Sequence, residues 1–187
     1  MMAKIWVSSD YHFCHNRRFL YEPRGFDSVD EMTETITFNH NELVAPEDDV
    51  YLLGDLVLND NARGLNYLAS LHGKLHIIRG NHDTDIRVVL YKELPNVVEV
   101  LDATYLKYKG YHFYLTHFPC ITANLEKESL KQCTINIHGH THSKDKFYQD
   151  IPFCFHCGAD AHNNKPVLLD DIIQMCEAKV VECKAQL

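Results

Sequence analysis

The sequence has little positive charge and no long apolar run. Lys and Arg number 18 against 26 Asp and Glu, for a formal net charge of -8, which excludes an extended basic surface for DNA or RNA. The longest stretch without Asp, Glu, Lys or Arg includes residues 111–125 but contains two histidines and a proline, so no transmembrane segment is expected. There is no internal repeat and no linker rich in Gly, Ser or Pro. We therefore expect one domain spanning residues 1–187.

The cysteines argue against a protein held together by disulfides. The seven cysteines are irregularly spaced and no secretory signal precedes them, so we expect reduced thiols and a cytoplasmic protein rather than a disulfide framework. Cys154 and Cys157 form a C-x-x-C pair, but no second Cys pair or His pair stands at zinc-site spacing. We interpret both as buried core cysteines.

Short β-type runs alternate with helical patterns, which is typical of an α/β protein. The strand candidates are residues 4–9, 50–53, 75–79, 97–100, 104–108, 111–116, 134–138 and 153–156. Helices are predicted to begin at Ser28, near Asn59, near Thr84 and near Asp170, with residues 28–31 offering a capping box. The Lys109-Gly110 pair predicts a tight hairpin between two strands. This mixture indicates mixed sheets rather than purely parallel ones.

Thirteen histidines are a heavy load for a chain of this size, and imidazole is a common metal ligand. Several of them, together with carboxylate and amide side chains, directly follow predicted strands. Such residues occupy positions 10–12, 55, 81–83, 117 and 140–142. Because active sites of open α/β sheets gather at the carboxyl ends of the strands, we expect these side chains to share one cleft.

This set offers imidazole nitrogens with carboxylate or amide oxygens, a mixture suited to Mn, Fe, Zn, Co or Ni. The candidate metal ligands are Asp10, His12, Asp55, Asn81, His117, His140 and His142. Seven ligands are too many for one ion, whereas two ions sharing the Asp55 carboxylate would each have four protein ligands and open positions. With only two carboxylates in the set, the loaded site keeps a formal charge of about +2, which attracts phosphate.

The same residues resemble the five signature blocks of the calcineurin-like metallophosphoesterase superfamily. The blocks are Asp10-Tyr11-His12, Gly54-Asp55, Gly80-Asn81-His82-Asp83, His117 and Gly139-His140-Thr141-His142. A single block is weak evidence, but five in register after predicted strands are specific. Residues 11–15 and 165–167 further resemble a small bacterial and phage branch that has no cap domain. The resemblance implies a four-layer αββα sandwich of two mixed sheets flanked by helices.

The resemblance also implies a mechanism. Asp10, His12 and His142 would hold one divalent ion, and Asn81, His117 and His140 the other, with Asp55 bridging the two. A hydroxide between the ions would attack the phosphorus of a monoester or diester. His82 would stabilise the phosphoryl oxygens or protonate the leaving group. Mn is the expected metal, and small phosphate esters or nucleotides are the expected substrates.

Two positions depart from the family pattern. Leu58 stands where many relatives carry an Asp that orients the catalytic His, so Asp83, Asp60 or a backbone carbonyl remain the candidates for orienting His82. Cys14 stands where relatives often have Gly.

Residues beside the blocks offer further candidates. The loop after the first block carries His15 and three arginines, of which His15 and Arg24 are our candidate substrate-binding residues. His138 is interpreted as a buried, hydrogen-bonded histidine rather than a ligand. The remaining histidines have no supporting constellation, and we interpret them as ordinary core or surface residues.

Two alternatives compete with the phosphoesterase. Some proteins of this fold, such as the small retromer subunit, act in protein assembly, but they typically have altered metal or catalytic positions. Here all seven ligands and His82 are present, which favours the enzyme. A mononuclear zinc hydrolase would leave Asn81 and several histidines without a role.

Overall fold

In the computed structural model of the chain, which describes residues 3–122 and 129–185, nine strands form two mixed sheets. The strands of the first sheet are, from edge to edge, β4 (Val97–Leu101), β3 (Lys74–Ile78), β2 (Asp49–Leu52), β1 (Ile5–Ser8) and β9 (Val167–Leu168). Those of the second sheet are β5 (Ala103–Tyr108), β6 (Tyr111–Thr116), β7 (Thr134–His138) and β8 (Cys154–His156). The β1–β9 and β5–β6 pairs are antiparallel, and the remaining pairs are parallel.

Five α-helices accompany the sheets in the described part of the chain. They are α1 (Arg18–Tyr21), α2 (Val29–Leu43), α3 (Asn61–Ala69), α4 (Asp85–Lys92) and α5 (Leu169–Ala185). The longest of the first four, α2, buries Met32, Ile36 and His40, which recur every four residues and therefore form one helix face. None of the helices in the described residues combines the length and hydrophobicity that crossing a membrane requires.

The helix starts follow the capping residues of the sequence. Thr84 is the N-cap of α4, and Asp60, one residue after the predicted position, is the N-cap of α3. Ser28 Oγ accepts a hydrogen bond from Glu31 N at 3.1 Å, as predicted for a capping box. The Glu31 carboxylate, however, accepts from Asp27 N at 2.9 Å rather than from Ser28 N. The reciprocal half of the predicted box is therefore displaced by one residue.

Two apolar clusters hold the layers together. Leu52 and Leu75 of the first sheet pack in a cluster with Met32 of α2. Val7, in the same sheet, belongs to the second cluster, which includes Phe113 of the second sheet and buried residues of α5. The first sheet is thus buried on both faces, which explains its apolar strands. The predicted α/β sandwich of two mixed sheets is confirmed.

The predicted strand bounds agree with the observed ones to within one residue, and the hairpin is confirmed. Lys109 and Gly110 both have positive φ, 49° and 82°, which is the geometry of a type I′ turn. Two short elements were not predicted, α1 and β9. With four and two residues, respectively, they are too short to produce a periodic pattern.

Parallel pairing brings the carboxyl ends of the strands together. Ser8 pairs with Leu52, and β2 pairs with β3 in the same direction. The second sheet approaches this edge, because Ser9 forms a parallel bridge with Gly158, just after β8. The loops after β1, β2, β3, β6 and β7 consequently converge on one place.

Candidate metal centre

The backbone of these loops is left-handed at five of the seven predicted ligands. The φ angles are 58° at Asp10, 50° at His12, 56° at Asp55, 69° at His140 and 49° at His142. Each such conformation costs about 1–3 kcal/mol in a non-glycine residue, and such costs cluster at functional sites. Cys14 also has positive φ, at 64°, which is the conformation that a glycine at this position adopts without strain.

Two glycines allow the loops after β2 and β3 to touch. A Cβ on Gly54, where φ is 89°, would lie 2.5 Å from Gly80 N and 2.9 Å from His117 Nδ1. A Cβ on Gly80 would overlap the Asp55 side chain. A side chain at Gly54 would therefore displace the Gly80 backbone or His117, and one at Gly80 would displace Asp55.

One group of predicted ligands comes from the loops after β1 and β7. His142 Nε2 lies 3.2 Å from His12 Nε2 and 3.9 Å from Asp10 Oδ1. Asp10 Oδ1 is buried and has no hydrogen-bond partner among the described residues, while its Oδ2 accepts from His140 N at 2.9 Å. Burial lowers the pKa of His12 well below its ordinary value, and the nearby His142 and Arg24 add to this effect. His12 is therefore neutral, as a metal ligand must be.

A second group comes from the loops after β3, β6 and β7. Asn81 Oδ1 lies 2.8 Å from both His117 Nε2 and His140 Nδ1. His117 Nδ1 donates a hydrogen bond to the Leu53 carbonyl at 2.7 Å. Because a carbonyl can only accept, the proton of a neutral His117 is on Nδ1, and its Nε2 presents a lone pair to Asn81 Oδ1. Two facing acceptors fit a bound cation.

Asp55 lies between the two groups. Its Oδ2 is 3.5 Å from His117 Nε2 and 3.8 Å from His12 Nε2, and its Oδ1 accepts from His82 N at 2.8 Å. Burial raises the pKa of Asp55, although the neighbouring His117 lowers it in part. A bound cation would offset this desolvation. The donor set and its lone-pair geometry therefore fit divalent metal ions.

His82 lies on the open side of this cluster. Its side chain is 46% exposed, and its Nε2 is 3.9 Å from Asp55 Oδ2. Two of the candidates for orienting His82 have other partners in the structure. Asp83 accepts from the backbone N–H groups of Asp55 and Gly80, and Asp60 caps α3. No described residue hydrogen-bonds the His82 ring, while its own carbonyl accepts from Arg87 Nη1 at 2.6 Å.

The two predicted substrate contacts differ in their surroundings. The His15 ring is beside His12 and His82, with centroids 5.3 and 6.3 Å away, so it borders the cluster. Burial lowers the pKa of His15 to about 4, with a further contribution from His82. The Arg24 side chain is only 1% exposed. Its guanidinium donates to both oxygens of Asp160, at 2.9 and 2.7 Å, and to the Asp10 carbonyl at 2.9 Å.

Asp160 is a site residue that the sequence reading missed. Its Oδ2 accepts a hydrogen bond from His142 Nδ1 at 3.0 Å, which fixes the proton on Nδ1 and aims Nε2 at the Asp10 side. Burial acts to lower the pKa of His142, but the hydrogen bond that His142 donates to Asp160 and the charge of Asp10 outweigh it, so the pKa is raised. Asp160 lies shortly after β8. The pattern of polar residues following strands, which identified the other site residues, could therefore have identified Asp160 as well.

Three interpretations of residues beside the site are confirmed. His138 is fully buried, and its Nδ1 is 2.8 Å from the Gly139 carbonyl. Cys154 and Cys157 are buried in and directly after β8. Burial raises the pKa of the Cys154 thiol to about 11 and that of Cys157 well above its usual range.

Comparison with known proteins agrees with this geometry. Residues 3–166 match the calcineurin-like phosphoesterase superfamily domain. The uncharacterized protein MJ1445 of Methanocaldococcus jannaschii is 34% identical, with 96% of each chain covered. The gene 66 protein of Mycobacterium phage L5 is 26% identical over 76% of this chain and 79% of its own.

A solved structure shows the same fold. The protein of unknown function AQ665 from Aquifex aeolicus superposes with a TM-score of 0.71 at 25% identity, covering 93% of this chain and all of its own. The family match spans all five blocks that carry the candidate ligands. The chain belongs to the calcineurin-like phosphoesterase superfamily.

Proposed function

We propose that this protein is a dinuclear metal-dependent phosphoesterase that hydrolyses phosphomonoester or phosphodiester bonds. The observation that carries the proposal is the convergence of lone pairs from five separate loops. Asn81 Oδ1 faces two imidazole nitrogens at 2.8 Å, and His12 Nε2 faces His142 Nε2 at 3.2 Å. Asn81 Oδ1 and His117 Nε2 are both acceptors when His117 is neutral, and such a pair is costly away from water unless a cation lies between the two atoms.

In this proposal, each ion has three ligands of its own. Asp10, His12 and His142 hold one, and Asn81, His117 and His140 hold the other. Asp55 is shared, because its Oδ2 lies within 4 Å of nitrogens from both groups. Mn is the expected metal, with Fe, Zn, Co or Ni as substitutes, because the donors are imidazoles and oxygens without thiolate.

Bound divalent ions supply a hydroxide nucleophile at neutral pH and neutralise charge on the phosphoryl oxygens. The protein residues hold the ions, orient the ligand rings and contact the phosphate. Asp160 and the Leu53 carbonyl fix the ring protons of His142 and His117, so that their Nε2 atoms stay available. His82, half-exposed beside Asp55, contacts the phosphoryl oxygens or gives a proton to the leaving group. His15 borders the same side and contacts the phosphate.

Arg24 has a different role in this proposal from the one that the sequence suggested. Its buried guanidinium is occupied by Asp160 and the Asp10 carbonyl, so it positions these two metal-site residues. The substrates are small phosphate esters or nucleotides, and the setting is the cytoplasm, where thiols stay reduced.

Turnover of bis-p-nitrophenyl phosphate and p-nitrophenyl phosphate by Mn-loaded protein tests the proposal. Asp55→Asn should abolish turnover of whichever ester is cleaved, while Asp60→Asn serves as the matched control because Asn also caps α3. His82→Ala should lower kcat about 100-fold or more with metal content retained. Turnover by Asp55→Asn at the wild-type rate would overturn the mechanism.

A further inference from the structure

A cleft opens directly beside the second ligand group. It has a volume of about 520 Å³ and is lined by Arg79, Asp102, Tyr114, Thr116, His117 and Phe118. We call it the Phe118 cleft. Because His117 lines the cleft and also lies beside Asn81 and Asp55, the cleft adjoins the place where the phosphate of an ester would be held.

The aromatic wall of the cleft is exposed and held in place. Phe118 is 49% exposed, and its ring is 4.7 Å from the His140 ring and 5.1 Å from the His117 ring. The turn that carries it is fixed, because Thr116 Oγ1 donates to the Phe118 carbonyl at 2.7 Å. Buried Asn136 in turn donates to Thr116 Oγ1 at 2.8 Å and accepts from Cys120 N at 2.8 Å.

A second aromatic surface continues the wall along β6. Tyr114 lines the cleft and packs against Tyr105 with ring centroids 4.6 Å apart. Tyr105 is itself 74% exposed. Exposed aromatic rings beside a catalytic centre are suited to contact with a planar group, since stacking stabilises such contacts in water.

The charges of the cleft disfavour an anionic occupant. Arg79 Nη2 is 2.6 Å from Asp85 Oδ1, and Arg79 Nε donates to the Asp83 carbonyl at 2.8 Å, so its positive charge is already balanced. Asp102 adds a negative charge to the lining. A second phosphate or a polyphosphate tail would meet no unbalanced cation among these lining residues.

We propose that the Phe118 cleft binds an uncharged aromatic group, an aryl ring or a nucleobase, of the phosphate ester. This inference rests on the proposed function, because the metal centre has to hold the phosphate. It narrows the substrate class to phosphate esters that carry an aromatic group, such as aryl esters or nucleotides, rather than plain sugar or alkyl phosphates.

The test compares phenylphosphonate with methylphosphonate in calorimetric titrations of Mn-loaded protein. Both are anions with the same metal-binding group, so the ratio of their affinities measures how much the cleft contributes to binding of the phenyl ring. We expect phenylphosphonate to bind about 10-fold more tightly to the wild type, and Phe118→Ala to bring the ratio close to one. Phe38→Ala, which removes an exposed ring on α2, should keep the wild-type ratio.

Phe118→Ala removes ring contacts with the candidate ligands His117 and His140 and could disturb them. Tyr114→Val is therefore the second variant, because the Tyr114 ring packs against Tyr105 instead. It should also lower the ratio. A wild-type ratio near one, or a ratio that Phe118→Ala and Tyr114→Val leave unchanged, overturns the cleft proposal even if the protein cleaves phosphate esters. A ratio that falls in both variants without any ester turnover supports the cleft and contradicts the proposed function.

Discussion

The carboxylate of Asp83 accepts a hydrogen bond from the backbone N–H of Asp55 at 2.8 Å. The same oxygen accepts from Gly80 N at 2.9 Å, and the other oxygen accepts from the Tyr91 hydroxyl at 2.7 Å. Asp83 is buried and ties the loops after β2 and β3 to each other. It therefore stabilises the left-handed backbone that presents Asp55 to the site.

Asp83→Ala should lower the free energy of unfolding by about 2–4 kcal/mol, because two buried N–H groups lose their acceptor. Tyr91→Phe removes only one hydrogen bond to the same carboxylate and should cost about 1 kcal/mol. Urea unfolding of both variants measures the difference. Equal losses for the two variants would argue against this role of Asp83.

The close approach of Gly54 to Gly80 has a matched control in Gly25. Both Gly54 and Gly25 have φ of 89°, but a Cβ on Gly25 would meet no atom within 4 Å. Gly25→Ala should therefore cost only the left-handed strain, about 1–2 kcal/mol. Gly54→Ala adds a collision with backbone and should cost about 3 kcal/mol or more. Thermal unfolding of the two variants checks this, and similar melting temperatures would contradict the packing described.

Asp160 is expected to act on the metal centre through His142. Asp160→Ala should weaken Mn binding about 10- to 100-fold, because the ring of His142 loses the partner that orients it. Asp160→Asn retains one acceptor oxygen and should lose less of the affinity for Mn. Calorimetric titration with Mn measures both, with Asp30→Ala as a control that removes an exposed carboxylate. Wild-type affinity in Asp160→Ala would exclude this positioning role.

His40 predicts a pH dependence of stability. Its Nε2 lies 2.9 Å from the His72 carbonyl and must donate, so Nδ1 accepts from the Tyr11 hydroxyl at 3.0 Å. Burial lowers the pKa of His40 to about 4. The unfolded chain binds a proton near pH 6.5 and the folded chain only near pH 4. The stabilising contribution of neutral His40 to the free energy of unfolding is therefore complete above pH 6.5. It is lost as the pH falls towards 4, and the loss amounts to at most about 3 kcal/mol.

Metal-free protein unfolded in urea between pH 4.5 and 7.5 tests this dependence. His138 and His162, whose pKa values burial also lowers to about 4, contribute with the same sign. Comparison with His40→Gln isolates one residue, and the variant should lose less stability on acidification. Parallel curves for the two proteins would show that His40 does not titrate as described.

The sequence predicted those parts of the site that follow from a periodic pattern. The strand ends placed Asp10 and Asp55 at one edge of the first sheet because parallel strands share a direction, and His117 follows a strand of the second sheet in the same way. Burial of Cys154 followed from its apolar surroundings. The hairpin at Lys109 followed from local turn chemistry.

Other features depend on long-range contacts that no local pattern contains. The pairing of Arg24 with Asp160 joins residues 136 positions apart in sequence. Neither residue alone indicates from the sequence that the other is its partner. The hydrogen bonds of Asp83 to the loop of Asp55 likewise depend on how two loops pack. The position of Phe118 next to His140 was not predicted because an exposed aromatic in a loop has no distinguishing spacing.

The number of metal ions that full activity requires tests the central claim most directly. Metal-free protein titrated with Mn, with turnover of a cleaved p-nitrophenyl ester measured at each addition, should reach full activity at two ions per chain and lose it with a chelator. Activity that is complete at one ion per chain, or that persists in the metal-free protein, would contradict the dinuclear site.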